Sequence, residues 1–117
     1  VCYITDNELF PEGSKNYNLN YWEKLTAFIH ATDVLITDTT YTDEEYIHKA
    51  SWGHSSVSQV VKLAHNAQVK ALHIIHHDPD QSDDDIDSKL ETAQNLLKEL
   101  NSSTKCIAPS ELQSFTL

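Results

Sequence analysis

Basic side chains are scarce in this chain of 117 residues: eight Lys and Arg stand against eighteen Asp and Glu, a formal net charge of −10. A nucleic-acid footprint built on general basicity needs clustered cations, so general nucleic-acid binding is not expected. A bound metal could still supply local positive charge for phosphate. The only cysteines, Cys2 and Cys106, are too few for a disulfide framework, which makes a reducing, cytoplasmic compartment the expectation. Two Gly and three Pro, with 39% hydrophobic residues, fit an ordered globular chain of one domain. No apolar run approaches ~18 residues, so no membrane span and no membrane partner are expected. Methionine is absent, and Val1 opens directly onto the apolar run Val1-Cys2-Tyr3-Ile4. A chain that starts inside a strand reads as part of something longer.

What is present is organised around Leu72-His73-Ile74-Ile75-His76-His77-Asp78-Pro79. Residues of both parities from Val69 to Ile75 are mostly apolar, the pattern of a strand buried on both faces. Pro79 cannot continue a central ladder, so the histidines fall where the strand stops. In open α/β sheets that rim is where ligands bind.

Two other apolar runs end the same way. Val1 to Thr5 reads as a strand ending at Asp6, and Val34-Leu35-Ile36 as one ending in Thr37-Asp38. Asn7 to Asn20 reads as a loop. Tyr21 to His30 reads as a helix with Tyr21, Trp22, Leu25, Phe28 and Ile29 on one face. Thr42 with Glu45, and Ser56 with Gln59, have the spacing of capping boxes. The second opens a helix whose buried face is Val57, Val60, Val61 and Ala64. Asp78 to Asp87 reads as an acidic linker, solvated rather than calcium-binding since it lacks the EF-hand pattern. A further helix carries Ile86, Leu90, Ala93, Leu96, Leu97 and Leu100 in its stripe. Lys105-Cys106-Ile107 is a last short strand, followed by a tail. The order βαβαβαβ predicts an α/β fold with a mostly parallel sheet.

If the three Asp-ended strands are parallel neighbours, Asp6, Asp38, His76, His77 and Asp78 share one rim. Carboxylates with imidazoles suit Zn, Mn or Fe. A strand-end Asp also serves as a turn cap, and a His-His-Asp-Pro turn also serves as a solvated loop. His30, His65, His73 and His48 fit structural or solvated places. His54 follows Trp52-Gly53 at a turn near the same rim. A turn His opposite a strand-end Asp has the geometry of an Asp-oriented general acid, although a structural role fits it too.

The segments Asp33 to Tyr46 (Asp-Val-Leu-Ile-Thr-Asp-Thr-Thr-Tyr-Thr-Asp-Glu-Glu-Tyr), Trp52-Gly53-His54-Ser55-Ser56 and His76-His77-Asp78-Pro79 together resemble the C-terminal half of metallo-β-lactamase-fold hydrolases. The branch they look most like is the phosphodiesterase-like one related to ribonuclease Z. The likeness runs from Tyr3 to the last strand. It implies that Asp6 bridges two metal ions and that His76 is a late ligand of the second. It places Asp38 at the acid of the segment those enzymes write His-Glu-Ala-Thr, and His54 at the His of a His-Ser-Thr loop. His77 and Asp78 would then face substrate or orient the ligand. The His-x-His-x-Asp-His motif that precedes the bridging Asp in that family has no counterpart here.

The resemblance therefore implies an αββα sandwich of which residues 1–117 are the C-terminal half, a fragment of a larger domain. It implies part of a metal-dependent hydrolase with two divalent ions, Zn or Mn, in the full protein, held poorly by this chain alone. The substrate would be a phosphodiester or related small molecule. The partner would be the missing N-terminal half or a second copy, set against an apolar sheet face that the helices leave open. A stand-alone α/β binding or signalling module is the alternative, and a scaffold that retains the fold without catalysis is another. Against a receiver-like module, Lys70 and Lys105 start strands rather than end them.

Overall fold

The structure, a computed structural model, describes residues 2–4, 8–10, 13–15, 17–50, 53–75 and 81–108. In chain order the elements are β1 (Cys2–Ile4), α1 (Leu19–Ile29), β2 (Val34–Asp38), α2 (Asp43–Lys49), α3 (Val57–Asn66), β3 (Ala71–Ile75), α4 (Asp83–Glu99) and β4 (Lys105–Ile107). The strands form one sheet in the order β1-β2-β3-β4, with every neighbouring pair parallel. The expected α/β class with a parallel sheet is what forms, and the second crossover holds the short helix that the Thr42–Glu45 box starts, α2, together with α3. No helix among the described residues is long and apolar enough to cross a membrane.

Right-handed crossovers along a monotonic strand order carry their helices to one face of the sheet. The core agrees. Its strand members come from one parity only: Leu35, Leu72, Ile74 and Cys106, with Cys2 and Ile4 packed against them. Trp22 and Ile29 of α1, Val57, Val60, Val61, Leu63 and Ala64 of α3, and Ala93 and Leu97 of α4 complete it. Burial pushes the Cys106 thiol up to about 12, so it is an inert apolar filler. The opposite parity aligns Tyr3, Ile36, His73 and Ile107 across the four strands, outside that cluster. Tyr3 is 65% exposed there.

Helix boundaries follow from caps. Asn18 Oδ1 accepts from Tyr21 N at 3.1 Å and starts α1. Thr42 and Glu45 form the expected capping box of α2. Glycine does not stop the crossover helices; Ala31, Gln68 and Asn101 take the left-handed conformation just past α1, α3 and α4. After α3 and α4 the paired bonds of a Schellman stop are present: Gln68 N to His65 O with Val69 N to Ala64 O, and Asn101 N to Lys98 O with Ser102 N to Leu97 O.

Four expectations need correction. On α1 only Trp22 and Ile29 are buried, while Phe28 is 76% and Tyr21 42% exposed. Residues 21 and 28 lie about 100° round the helix from Trp22, off the stripe that faces α3. The Ser56–Gln59 capping box does not form: Ser56 is the N-cap but its side chain makes no cap bond. The first amides of α3 are taken from outside the helix, Val57 N by Tyr41 O at 3.0 Å and Ser58 N by Asp43 Oδ1 at 3.0 Å. Gln59 Oε1 is left buried without a partner among the described residues. The acidic stretch is not a linker as far as Asp87, because α4 begins at Asp83 behind a Ser82–Asp85 capping box. Within the stripe of α4, Leu100 is 44% exposed and Lys89 is buried instead.

Candidate active site

Among the described residues, the carboxyl ends of β2 and β3 carry a cluster of buried, hydrogen-bonded polar groups. Asp38, the last residue of β2, is fully buried. Its Oδ1 accepts from Thr40 N at 3.1 Å and from Thr40 Oγ1 at 2.7 Å. Its Oδ2 lies 2.5 Å from His54 Nδ1. An ionised carboxylate only accepts, so the shared proton belongs to Nδ1–H and the imidazole is held by that nitrogen. Nε2 is then the ring nitrogen not engaged with Asp38. The His54 side chain keeps 21% of its exposure against 0% for Asp38, so the pair is anchored in the core at its carboxylate and partly exposed at its imidazole. The Tyr41 ring meets the imidazole edge-on, with centroids 6.0 Å apart and planes at 77°.

The loop that carries His54 is held from three sides. Tyr41 N donates to Ser55 O at 3.2 Å, part of an isolated parallel bridge between Tyr41 and Ser56 just past β2. Leu9 N donates to Ser55 Oγ at 3.0 Å. Glu8 accepts from Gly53 N at 2.8 Å with one oxygen and from the Tyr46 hydroxyl at 2.7 Å with the other. Burial, and then the hydrogen bond to Glu8 and its charge, hold the Tyr46 phenol far above its ordinary range, so it remains a donor. Gly53 turns at φ +93°, a conformation that strains any residue with a Cβ.

The turn after Asp38 is anchored as firmly. Thr39 N donates to Ile75 O at 2.9 Å, which ties it to the end of β3. Lys89, 1% exposed, reaches from α4 to Thr39 O at 2.6 Å. Gln81 Nε2 donates to Thr40 O at 3.1 Å and to Glu45 Oε1 at 2.6 Å.

Asp38 and His54, expected to act together, are thus brought into contact. Asp6, His76, His77 and Asp78 lie outside the described residues, as does Trp52. Among the described residues no group of three or more His, Cys, Asp or Glu could hold a metal ion. Both Asp38 oxygens are already engaged, so the pair does not read as a ligand set. His30, His48 and His65 stand on or beside helices away from the pair, and His73 lies within β3, where burial lowers its pKa.

Glu8, Gln81 and Lys89 were not singled out by sequence. Lys89 did leave a signal, since it precedes Ala93 and Leu97 at intervals of four, on the apolar stripe of α4. Glu8 and Gln81 left none: Glu8 meets its partners across 38 and 45 residues, and Gln81 reaches Thr40 and Glu45 across 41 and 36.

No family model matches the chain. Two curated proteins are similar to it. Ribonuclease Z of Oceanobacillus iheyensis is 27% identical over 84 residues, 72% of this chain and 26% of that protein. Ribonuclease Z of Saccharolobus solfataricus is 30% identical over 89 residues, 76% of this chain and 27% of that protein. The chain is therefore a distant relative of ribonuclease Z over about three quarters of its length, and it spans about a quarter of the length of the relatives it matches.

Proposed function

We propose that this chain is the C-terminal part of a metallo-β-lactamase-type hydrolase that cleaves phosphodiester bonds, with Asp38 and His54 as its leaving-group acid. The observation that carries the reading is the 2.5 Å contact between a buried strand-end carboxylate and a half-open imidazole. The partial likeness to two ribonucleases Z supports the reaction class. In this reading Asp38 orients the ring through Nδ1, and Nε2 gives its proton to the departing oxygen. Buried anchorage of Asp38 keeps that geometry without reorganisation.

Asp6 and His76 are proposed as ligands of two divalent ions, Zn or Mn, whose remaining ligands come from outside this chain. Such a pair, when bound, would activate water and neutralise charge developing on the phosphoryl oxygens. The sheet face bearing Tyr3, Ile36 and Ile107 is where the rest of the domain would pack. The expectation against nucleic acid, drawn from the charge of −10, finds no support in relatives that are both ribonucleases by name. RNA belongs among the substrates to be tried.

The test is hydrolysis of bis(p-nitrophenyl) phosphate and of a short RNA by the full-length protein with Zn or Mn. Metal-dependent turnover lost in Asp6→Ala and His76→Ala is expected. Inactivity towards both substrates, or activity indifferent to those changes, overturns the reading. A receiver-like module is disfavoured because both oxygens of Asp38 are already committed to Thr40 and His54.

A further inference from the structure

We propose that Lys89 is a positioning residue for the Asp38–His54 pair, acting through the backbone turn at Thr39 and Thr40. The inference rests on the reading of that pair as the leaving-group acid. A buried ammonium is costly unless its donors are satisfied, and an apolar residue would be the ordinary solution at this place on the stripe of α4. Lys89 is 1% exposed, and its Nζ donates to Thr39 O at 2.6 Å, Thr40 O at 3.3 Å and Gln81 Oε1 at 3.1 Å. The two carbonyls belong to the residues that directly follow Asp38.

The consequence for Asp38 can be traced atom by atom. Thr39 is anchored at its amide by Ile75 O (2.9 Å) and through its hydroxyl to Thr37 O (3.2 Å). Lys89 anchors the carbonyl side of the same residue. With both sides of Thr39 held, Thr40 is delivered with its amide and hydroxyl on Asp38 Oδ1. That occupies one carboxylate oxygen and sets the rotation that puts the other against His54 Nδ1. Gln81 completes the clamp, since it accepts from Lys89 and donates to Thr40 O and to Glu45 of the α2 capping box. Lys89 is too deep to meet a substrate. Its influence on His54 runs through the turn and Asp38.

The test reads geometry before activity. In ¹⁵N-labelled full-length protein, the His54 Nδ1–H proton held by Asp38 should give a far-downfield, slowly exchanging signal that disappears in Asp38→Asn. The Lys89→Met protein, which keeps length and apolarity but removes the donors, should stay folded by circular dichroism. It should lose or broaden that signal, and its Thr40 amide should exchange at least ~10-fold faster. Its kcat on a phosphodiester with an alkyl leaving group should fall roughly 10-fold or more, since small misplacements of a catalytic group are costly, with KM unchanged. Lys89→Arg should restore part of both readouts. A folded Lys89→Met protein with the parent's Nδ1–H signal and Thr40 protection overturns the proposal. Should that variant not fold, through-hydrogen-bond NMR correlations from Lys89 Nζ to the Thr39 and Thr40 carbonyls of the parent decide, and their absence overturns it. A parent protein without hydrolase activity whose His54 signal still responds to Lys89 would sink the enzymatic reading and keep the positioning role.

Discussion

The two ends of the sheet are built from the same strands and carry opposite chemistry. At the carboxyl end, charged and polar side chains are buried and tied to one another: Asp38 is fully buried, Lys89 is 1% exposed, and Thr39 and Thr40 are 0% and 4% exposed. At the amino end, the ion pair between Lys70 and Asp33 leaves its side chains 72% and 67% exposed. A concave surface of about 720 Å³ there, lined by residues such as His65, Gln68, Asn101 and Thr104, is polar without any buried charge among them. Distance alone does not separate the two ends, because both contacts are close, at 2.5 and 3.0 Å. Desolvation separates them. Burying a polar group and then satisfying it is expensive, so such groups accumulate where geometry must be held.

The largest effect expected from this contrast is at His54. In the full-length protein, the proposed role predicts that His54→Ala lowers kcat/KM for an alkyl-leaving-group phosphodiester by ~10²–10⁴, the usual worth of a general acid. For a p-nitrophenyl ester the loss should be far smaller, because nitrophenolate departs without a proton. Asp38→Asn should act in the same direction by disturbing the tautomer. Rates across a series of leaving groups check this. A loss equal for good and poor leaving groups would mean that the pair only holds the loop together.

Glu8 should matter next. Its two oxygens accept from Gly53 N and from the Tyr46 hydroxyl, which makes it the link between α2 and the His54 loop. In Glu8→Ala both acceptors are removed, so both bonds are lost. A roughly 10-fold fall in kcat is expected as the loop loosens. The Tyr46 phenol should also ionise at lower pH, because the charge that helps to hold its proton is gone. Ultraviolet titration of the tyrosines measures that shift. An unchanged Tyr46 titration would show that burial, the larger cause, acts alone.

What the sequence disclosed of this site divides by range. The Thr42–Glu45 capping box was readable because both halves lie within one turn. So was the ending of β2 in Asp38, because an apolar run stopping at a carboxylate is a local pattern. Ser56–Gln59 had the same local spacing and failed, since Tyr41 and Asp43, both 15 or more residues earlier, reach the first amides of α3. The Ser82–Asp85 box was hidden in a run of carboxylates that read as solvated linker, and its capping acid is Asp where Glu is the commoner choice. Pairing of Asp38 with His54 followed from placing both at one rim. The supports of that pair did not, because Lys89 reaches Thr39 across 50 residues and only packing brings them together.

The smallest effect belongs at the other end of the sheet. Hydrogen bonding from Lys70, and then its charge, hold the Asp33 carboxyl below its ordinary 3.8. A lowered carboxylate pKa favours the folded state above the unfolded pKa, and that contribution is lost as pH falls through the folded one. The sign is therefore stabilising at neutral pH and vanishing below about pH 4. Its size is another matter, because water and salt screen a pair this exposed. Lys70→Ala should leave the urea midpoint at pH 7 within experimental error. Any residual difference should shrink further with added salt and at acid pH. The same measurement on Lys89→Met should show a clear shift, since there a buried donor leaves carbonyl partners unsatisfied. Equal shifts for the two lysines would remove burial as the distinction between the ends, and with it the reason for treating only one of them as a site.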